Sequence, residues 1–173
     1  PLQFAIWEPT YERTRLGNTA NRTSDPELEL TDAFWYLVDG TYANWDTVNS
    51  HSPQTCMLFA EFANDALAHS AKLSVSASTA YTVEFWHKWS AHSSMTIASR
   101  VDWYTSGDVF ISSTYGATYT SDGSNTAWTQ RLDTHTSPST AATARPMVGV
   151  VVGSGATRYT AVDDVKFYLA ATA

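Results

Sequence analysis

The chain has 173 residues, 43% of them hydrophobic and 13% aromatic, and a formal net charge of -7. That length suits one domain, since single domains commonly hold roughly 100 to 200 residues, and the apolar share is enough for a real core. An acidic balance with no Lys/Arg cluster argues against nucleic acid, which needs clustered cations to neutralise phosphate, and no apolar run approaches the roughly 20 residues of a membrane-spanning helix.

Seven Trp, nine Tyr and many Ser and Thr favour a sandwich or barrel over a helical bundle. The single Cys56 leaves no internal disulfide, and its apolar setting reads as a small buried hydrophobe. The start at Pro1 does not read as a signal peptide. The Asn21-Arg22-Thr23 triplet matches a glycosylation acceptor, a pattern short enough to arise by chance.

In chain order, Phe4 to Trp7 is a short apolar run ended by Pro9, followed by polar sequence to Ser24. Residues 1–24 are therefore expected to form an edge strand or an arm, and residues 25–173 the domain proper. Asp25-Pro26-Glu27 carries helix-start signals, while Leu28, Leu30 and the run from Phe34 to Val38 fit strands, and Asp39-Gly40 fits a turn. Strand is the preferred reading there, with short helical turns as the alternative in the first 70 residues. Gln54 to Phe62 reads as a strand, and Ala63 to Ala71 has the Ala and Leu content to continue as a helix.

Tyr81 to Trp89 is the clearest amphipathic strand. Tyr81, Val83, Phe85, His87 and Trp89 fall on one face, Thr82, Glu84, Trp86 and Lys88 on the other. Met95 to Tyr104 and Val109 to Ser112 form a hairpin about Thr105 to Asp108, and a loop is expected over residues 113–126. Ala127 to Leu132 and Arg145 to Val152 are further strands, and a turn at Gly153 to Ala156 leads into the closing strand, Arg158 to Leu169. In that strand Asp163 falls in step with Ala161, Val165 and Phe167, so a carboxylate is expected on their face, where it needs a cation or several donors. Eight or more strands without a long helix indicate an all-β antiparallel sandwich.

The closing pattern, with Asp163-Asp164-Val165 between apolar and aromatic residues, resembles the last strand of the jelly-roll carbohydrate-binding modules and their galactose-binding-like relatives, a fold also found in phage virion proteins. Tyr81 to Lys88 is similar to that family's central strand, Val101 to Val109 to its hairpin, Trp128 to the next strand, and Met147 to Phe167 to its closing pair. The resemblance covers residues 50–169 and departs from the family before them, where the Asn-Gly-x-Phe-Glu opening is missing. It implies a structural calcium at Asp163 and Asp164, with Glu8 or Glu12 replacing the missing opening ligand; two hydrogen-bonded turn acids are the alternative.

Sugar recognition needs aromatic faces flanked by planar polar groups. The candidates are Trp86 with Glu84 and Lys88, then Trp45, Tyr42, Trp103 and Tyr104, while Trp7 and Trp128 are expected in core or interface. The histidines at 51, 69, 87, 92 and 135 lack zinc spacing. Catalysis is not expected: there is no Gly-x-Ser-x-Gly elbow, the glycines around 149 to 155 lack a phosphate-loop lysine, and Glu61, Glu84 and Asp102 make a glycosidase pair only at a specific separation. Two functions remain. One is a non-catalytic glycan-binding module. The other is a virion structural protein, a capsid decoration or tail component, that contacts other subunits or copies of itself. Both place the chain outside the cell or on a virion surface.

Overall fold

The structure is a computed structural model that describes residues 35–37, 43–48, 50–52, 55–60, 66–90, 93–122, 127–152 and 159–171. Within them lie twelve strands and no helix: β1 (Trp35–Leu37), β2 (Ala43–Asp46), β3 (Cys56–Ala60), β4 (Ala66–Ser70), β5 (Leu73–Ser74), β6 (Ala80–Trp89), β7 (Ser93–Tyr104), β8 (Phe110–Tyr115), β9 (Tyr119–Asp122), β10 (Thr129–Thr136), β11 (Thr143–Val152) and β12 (Tyr159–Leu169). The arm at 1–24, the signals at Asp25-Pro26, and the turns at Asp39-Gly40 and Gly153 to Ala156 lie outside the described residues.

Two antiparallel sheets form a sandwich. A seven-stranded sheet runs β1-β4-β11-β7-β8, with β5 beside β11 and β9 beside β7; a five-stranded sheet runs β10-β6-β12-β3-β2. Period-two alternation fills the space between them. From β6 come Tyr81, Val83 and Phe85, from β7 Ile97, Val101 and Trp103, from β11 Val148 and Val150, and from β12 Val162, Val165 and Phe167, all fully buried. Each such side chain contributes roughly 1.5 to 3 kcal/mol relative to exposure. The Tyr81 ring stacks on Phe167 at 5.0 Å, and its hydroxyl accepts the Ser76 N–H at 2.7 Å, so its polar end is satisfied inside the core.

Three expectations need correction. Residues 66–70 form β4, not a helix, because Ala66 and Ala68 pack in the core and the backbone pairs with β11 and β1. The loop expected over 113–126 holds the end of β8 and all of β9, its Ser, Thr and Tyr being good strand formers on a half-buried surface. The third concerns β12. Its register against β6 gains one residue between Asp163 and Lys166, with Asp164 at a positive φ of 50°. This bulge reverses the facing of the chain. Asp163, opposite Trp86, lies on the outer side, whereas Val165 and Phe167 return to the core.

β11 carries two further features. Pro146 sits in this central strand where it has no strand partner on the side away from β7, since β5 pairs only with Thr143 and Ala144 and the pairing with β4 starts at Met147. At Gly149 an added Cβ would stand 2.2 Å from the Ala66 carbonyl oxygen and 2.9 Å from Leu67 Cα, both backbone atoms. Gly149→Ala is therefore expected to force β4 and β11 apart and cost roughly 1 to 3 kcal/mol, read as a lowered thermal midpoint; an unchanged midpoint would refute this close approach.

Candidate functional site

The outer face of the five-stranded sheet carries the leading sequence candidates. Trp86, Glu84 and Lys88 do project outward from β6, half-buried. The His51 ring lies parallel to Trp86 at 4.2 Å and 15°, and meets Trp128 edge-on at 5.3 Å, so one indole face is covered by the segment between β2 and β3. Glu84 accepts hydrogen bonds from Tyr168 Oη and Gln130 Nε2, each at 2.8 Å, with Lys166 Nζ at 3.4 Å. Trp45 packs against the core from the inner side of β2. Tyr42, Glu8, Glu12, Glu61 and His92 lie outside the described residues.

Asp163 is fully buried under the same segment. Its Oδ2 accepts the N–H groups of His51 at 2.8 Å and Ser52 at 2.9 Å, the Ser52 hydroxyl is 3.0 Å from Oδ1, and the Asp164 N–H reaches Oδ1 at 2.7 Å. Asp164 pairs with His51 Nδ1 at 2.6 Å. Burial pushes the Asp163 carboxyl up to about 6 against the pull of these amides. Calcium takes 6 to 8 oxygen ligands. The groups around Asp163 are N–H and O–H donors, and the described residues contain no cluster of three or more His, Cys, Asp or Glu able to hold a metal. The set described does not fit calcium; it fits a carboxylate tying a loop to a bulge.

Between the sheets, the β10 edge is polar. Trp103 Nε1 donates to Thr114 Oγ1 at 3.0 Å, and Thr114 Oγ1 is 3.0 Å from His135 Nδ1. Ser99 Oγ is 3.0 Å from His135 Nε2 and donates to Asp133 Oδ2 at 2.6 Å, while Tyr119 Oη donates to Asp133 Oδ1 at 2.7 Å. Because the Ser99 proton goes to Asp133, Nε2 must be the histidine donor and Nδ1 its acceptor. Every proton then runs one way, from indole to carboxylate. The trio has the members of a hydrolase triad but not the order: the serine lies between acid and histidine, and is fully buried. At Gly116 an added Cβ would fall 2.2 Å from Asp133 Oδ2. Nearby, His87 Nε2 accepts from Arg131 Nε at 3.0 Å, which places its proton on Nδ1, buried without a partner.

The outer face of the seven-stranded sheet is assembled differently. The registers place Arg100, Asp102 and Tyr104 of β7 beside Arg145 and Met147 of β11, His69 of β4, and Ser113 and Tyr115 of β8. Buried Asp102 receives Arg100 Nε at 2.7 Å and Nη2 at 3.1 Å, and the Ser113 hydroxyl at 2.6 Å. Tyr115 is 62% and Phe110 52% exposed. Tyr104 is half-buried opposite Phe110: Lys72 Nζ stands 3.5 Å and Arg145 Cζ 5.8 Å from its ring centroid, and Phe110 meets it edge-on at 5.8 Å. Lys72 also pairs with Asp108. Arg145 Nε is buried with no hydrogen-bond partner. Burial holds the His69 pKa below its ordinary value; the Ser70 carbonyl opposes this and the Arg145 charge adds to it.

Neither a family model nor a curated protein matches the chain. Solved structures do match. The C-terminal family 22 carbohydrate-binding module of a Clostridium thermocellum xylanase superposes with a TM-score of 0.59 at 13% identity, covering 88% of this chain and 94% of that one. The fold is that of the jelly-roll carbohydrate-binding modules. A family 61 module solved in complex with β-1,4-galactotriose gives 0.57 at 16% identity, over 87% and 99% of the two chains. Bacteriophage CBA120 tailspike protein 4 gives 0.57 at 16% identity, over 87% of this chain. The chain spans only 21% of that tailspike structure and 26% of a family 22 module joined to its xylanase. At these identities the likeness is one of fold. The described residues contain no helix long and apolar enough to cross a membrane.

Of the sequence candidates, the structure brings Glu84, Trp86 and Lys88 together on one outer face and Tyr104 to the other, and buries Trp103 in the core. Glu84 and Asp102 stand on the outer faces of different sheets, too far apart to form a glycosidase pair. Arg100, Arg145, Tyr115 and Phe110, which share the second outer face, were not among the sequence candidates, although the alternation that buries Val101 and Trp103 already turns Arg100 and Tyr104 outward. Excess EDTA is expected to leave the thermal midpoint unchanged, whereas Asp163→Asn, which turns an amide donor toward His51 and Ser52, should lower it by several degrees; a midpoint that falls with chelator would restore the calcium.

Burial lowers the His87 and His135 pKa values from 6.5 to about 4, Arg131 adding to the effect at His87 and Asp133 opposing it at His135. Their stabilising contribution is complete above pH 6.5 and lost as pH falls toward 4. Asp163, raised from 3.8 to about 6, works in the opposite sense over pH 4 to 6. The His69 pKa is lowered as well, so three groups oppose one, and the unfolding midpoint is expected to fall between pH 6.5 and 4, less steeply in His87→Leu. A midpoint that rises on acidification would contradict the buried neutral imidazoles.

Proposed function

We propose that the domain is a non-catalytic glycan-binding module that takes its ligand on the outer face of the seven-stranded sheet, at an extracellular or virion surface. The observation that carries this reading is the strip that runs from Tyr104 and exposed Phe110 at one end, past Asp102, Ser113 and Arg145, to Arg100 and exposed Tyr115 at the other. Exposed rings suit the apolar face of a pyranose, and planar guanidinium groups suit its paired oxygens. Phe110 and Tyr115 stand opposite Tyr104 and Arg100, four steps apart along β7 and so about 13 Å at the usual strand rise, the span of a short oligosaccharide. Modules of this fold described as binding xylan or β-1,4-galactotriose support the assignment.

The Trp86 face is the weaker choice because His51 covers one side of the indole and, among the described residues, that face has no exposed ring to match Phe110 and Tyr115. The tailspike likeness supports a second reading, in which the chain is a virion component and the exposed Val109, Phe110 and Tyr115 are contacts between subunits of an oligomer.

Calorimetric titration with xylo- and galacto-oligosaccharides separates these readings. Tyr104→Ala and Tyr115→Ala are each expected to weaken binding about 10-fold, or roughly 1.4 kcal/mol, while Trp86→Ala lowers the melting temperature and leaves affinity intact. Loss of binding in a folded Trp86→Ala protein would move the ligand to the other sheet. A defined oligomer by light scattering that binds neither sugar would replace the glycan reading with the virion one.

A further inference from the structure

Resting on the glycan-binding reading, we infer that the ligand is an acidic glycan and that Arg145 receives the carboxylate of a uronic acid residue. Among the described residues, three cations stand on this face, Lys72, Arg100 and Arg145, against two carboxylates, Asp102 and Asp108. Both carboxylates are taken. Asp102 lies directly across the ladder from Arg145, yet its oxygens are held by the fork of Arg100 and by Ser113. Asp108 pairs with Lys72.

Arg145 is left as the uncompensated charge. Its Nε is buried without any acceptor, while the side chain as a whole is half-exposed, so a ligand meets it at the guanidinium end. On the side away from β7, Arg145 and Pro146 pair with neither β4 nor β5, and Ala71-Lys72 join those two strands there. Arg145 also abuts the Tyr104 ring. A hydroxyl would offer the guanidinium an acceptor alone. A carboxylate offers acceptor and charge together to its two Nη groups, a planar match that a lysine could not make. With a net charge of -7 on the whole chain, a dense polyanion is repelled at a distance. The ligand class is therefore a neutral backbone carrying isolated uronates.

The test is titration of the intact chain with a glucuronate-substituted xylo-oligosaccharide, the unsubstituted oligosaccharide of equal length, and the carboxyl-reduced form of the first. The acidic ligand is expected to bind at least about 10-fold more tightly than the other two at low salt, with the preference shrinking at about 0.5 M salt. Arg145→Gln, checked for folding by circular dichroism, should abolish the difference, and Arg145→Lys should recover part of it. Equal affinity of the unaltered protein for all three, or a preference that survives in Arg145→Gln, would overturn the inference while leaving glycan binding in place. Binding of none of the three, nor of galacto-oligosaccharides, would overturn both. The carboxyl-reduced ligand gives the answer on the unaltered protein should the variants fail to fold.

Discussion

The strict alternation of β7 is the constraint on which both core and candidate site depend. Trp103 is fully buried and its neighbour Tyr104 faces outward because successive side chains leave a pleated strand on opposite sides. A slip of one residue would drive Arg100 and Asp102 into the apolar core and strip Val101 and Trp103 from it, an exchange far larger than the margin that holds a domain folded. Burial of the one set therefore fixes the exposure of the other. The pairing of β7 with β11 extends this to a second strand, so Arg145 is delivered opposite Asp102 by the same register that places Ala144 under Trp103.

The polar edge between the sheets has a different role. Ser99 of β7, Thr114 of β8, Tyr119 of β9 and the Asp133–His135 pair of β10 form one directional set of hydrogen bonds, tying an edge of each sheet to the other. Such a network is sensitive to geometry: it specifies the approach of the sheets where apolar packing alone would tolerate sliding, and it needs neutral imidazole to stay complete. Its members are the residues of hydrolytic chemistry, but each atom that would react is already spent on structure. The Asp163 corner follows the same logic, a carboxylate held by backbone amides where loop meets bulge.

Local pattern carried much of this into the sequence. The two faces of β6 and the turn at Thr105 to Asp108 read correctly because each depends on contiguous residues. β9 was hidden in Ser, Thr and Gly sequence whose pairing partner lies some twenty residues earlier. The inversion at Asp163 was hidden because parity counting assumes an uninterrupted pleat, and nothing local distinguishes a bulge at Asp163-Asp164 from a continuous strand. Trp86 shows the limit for sites: its outward direction was legible, but its cover is His51, 35 residues upstream, delivered by a loop whose docking depends on Asp163. Exposure of a residue is local in origin; its availability to a ligand is not.

The measurement that tests the central claim most directly is a titration of isotope-labelled protein with xylo-oligosaccharide and then its glucuronate-substituted form, followed by backbone amide and Arg side-chain resonances. The account predicts perturbations confined to β7, β8 and β11, centred on Arg100, Asp102, Tyr104, Tyr115 and Arg145, with the acidic ligand shifting the Arg145 guanidinium resonances most. Perturbations centred on Trp86, Glu84 and Lys88, with β7 and β11 silent, would contradict it and assign recognition to the opposite sheet.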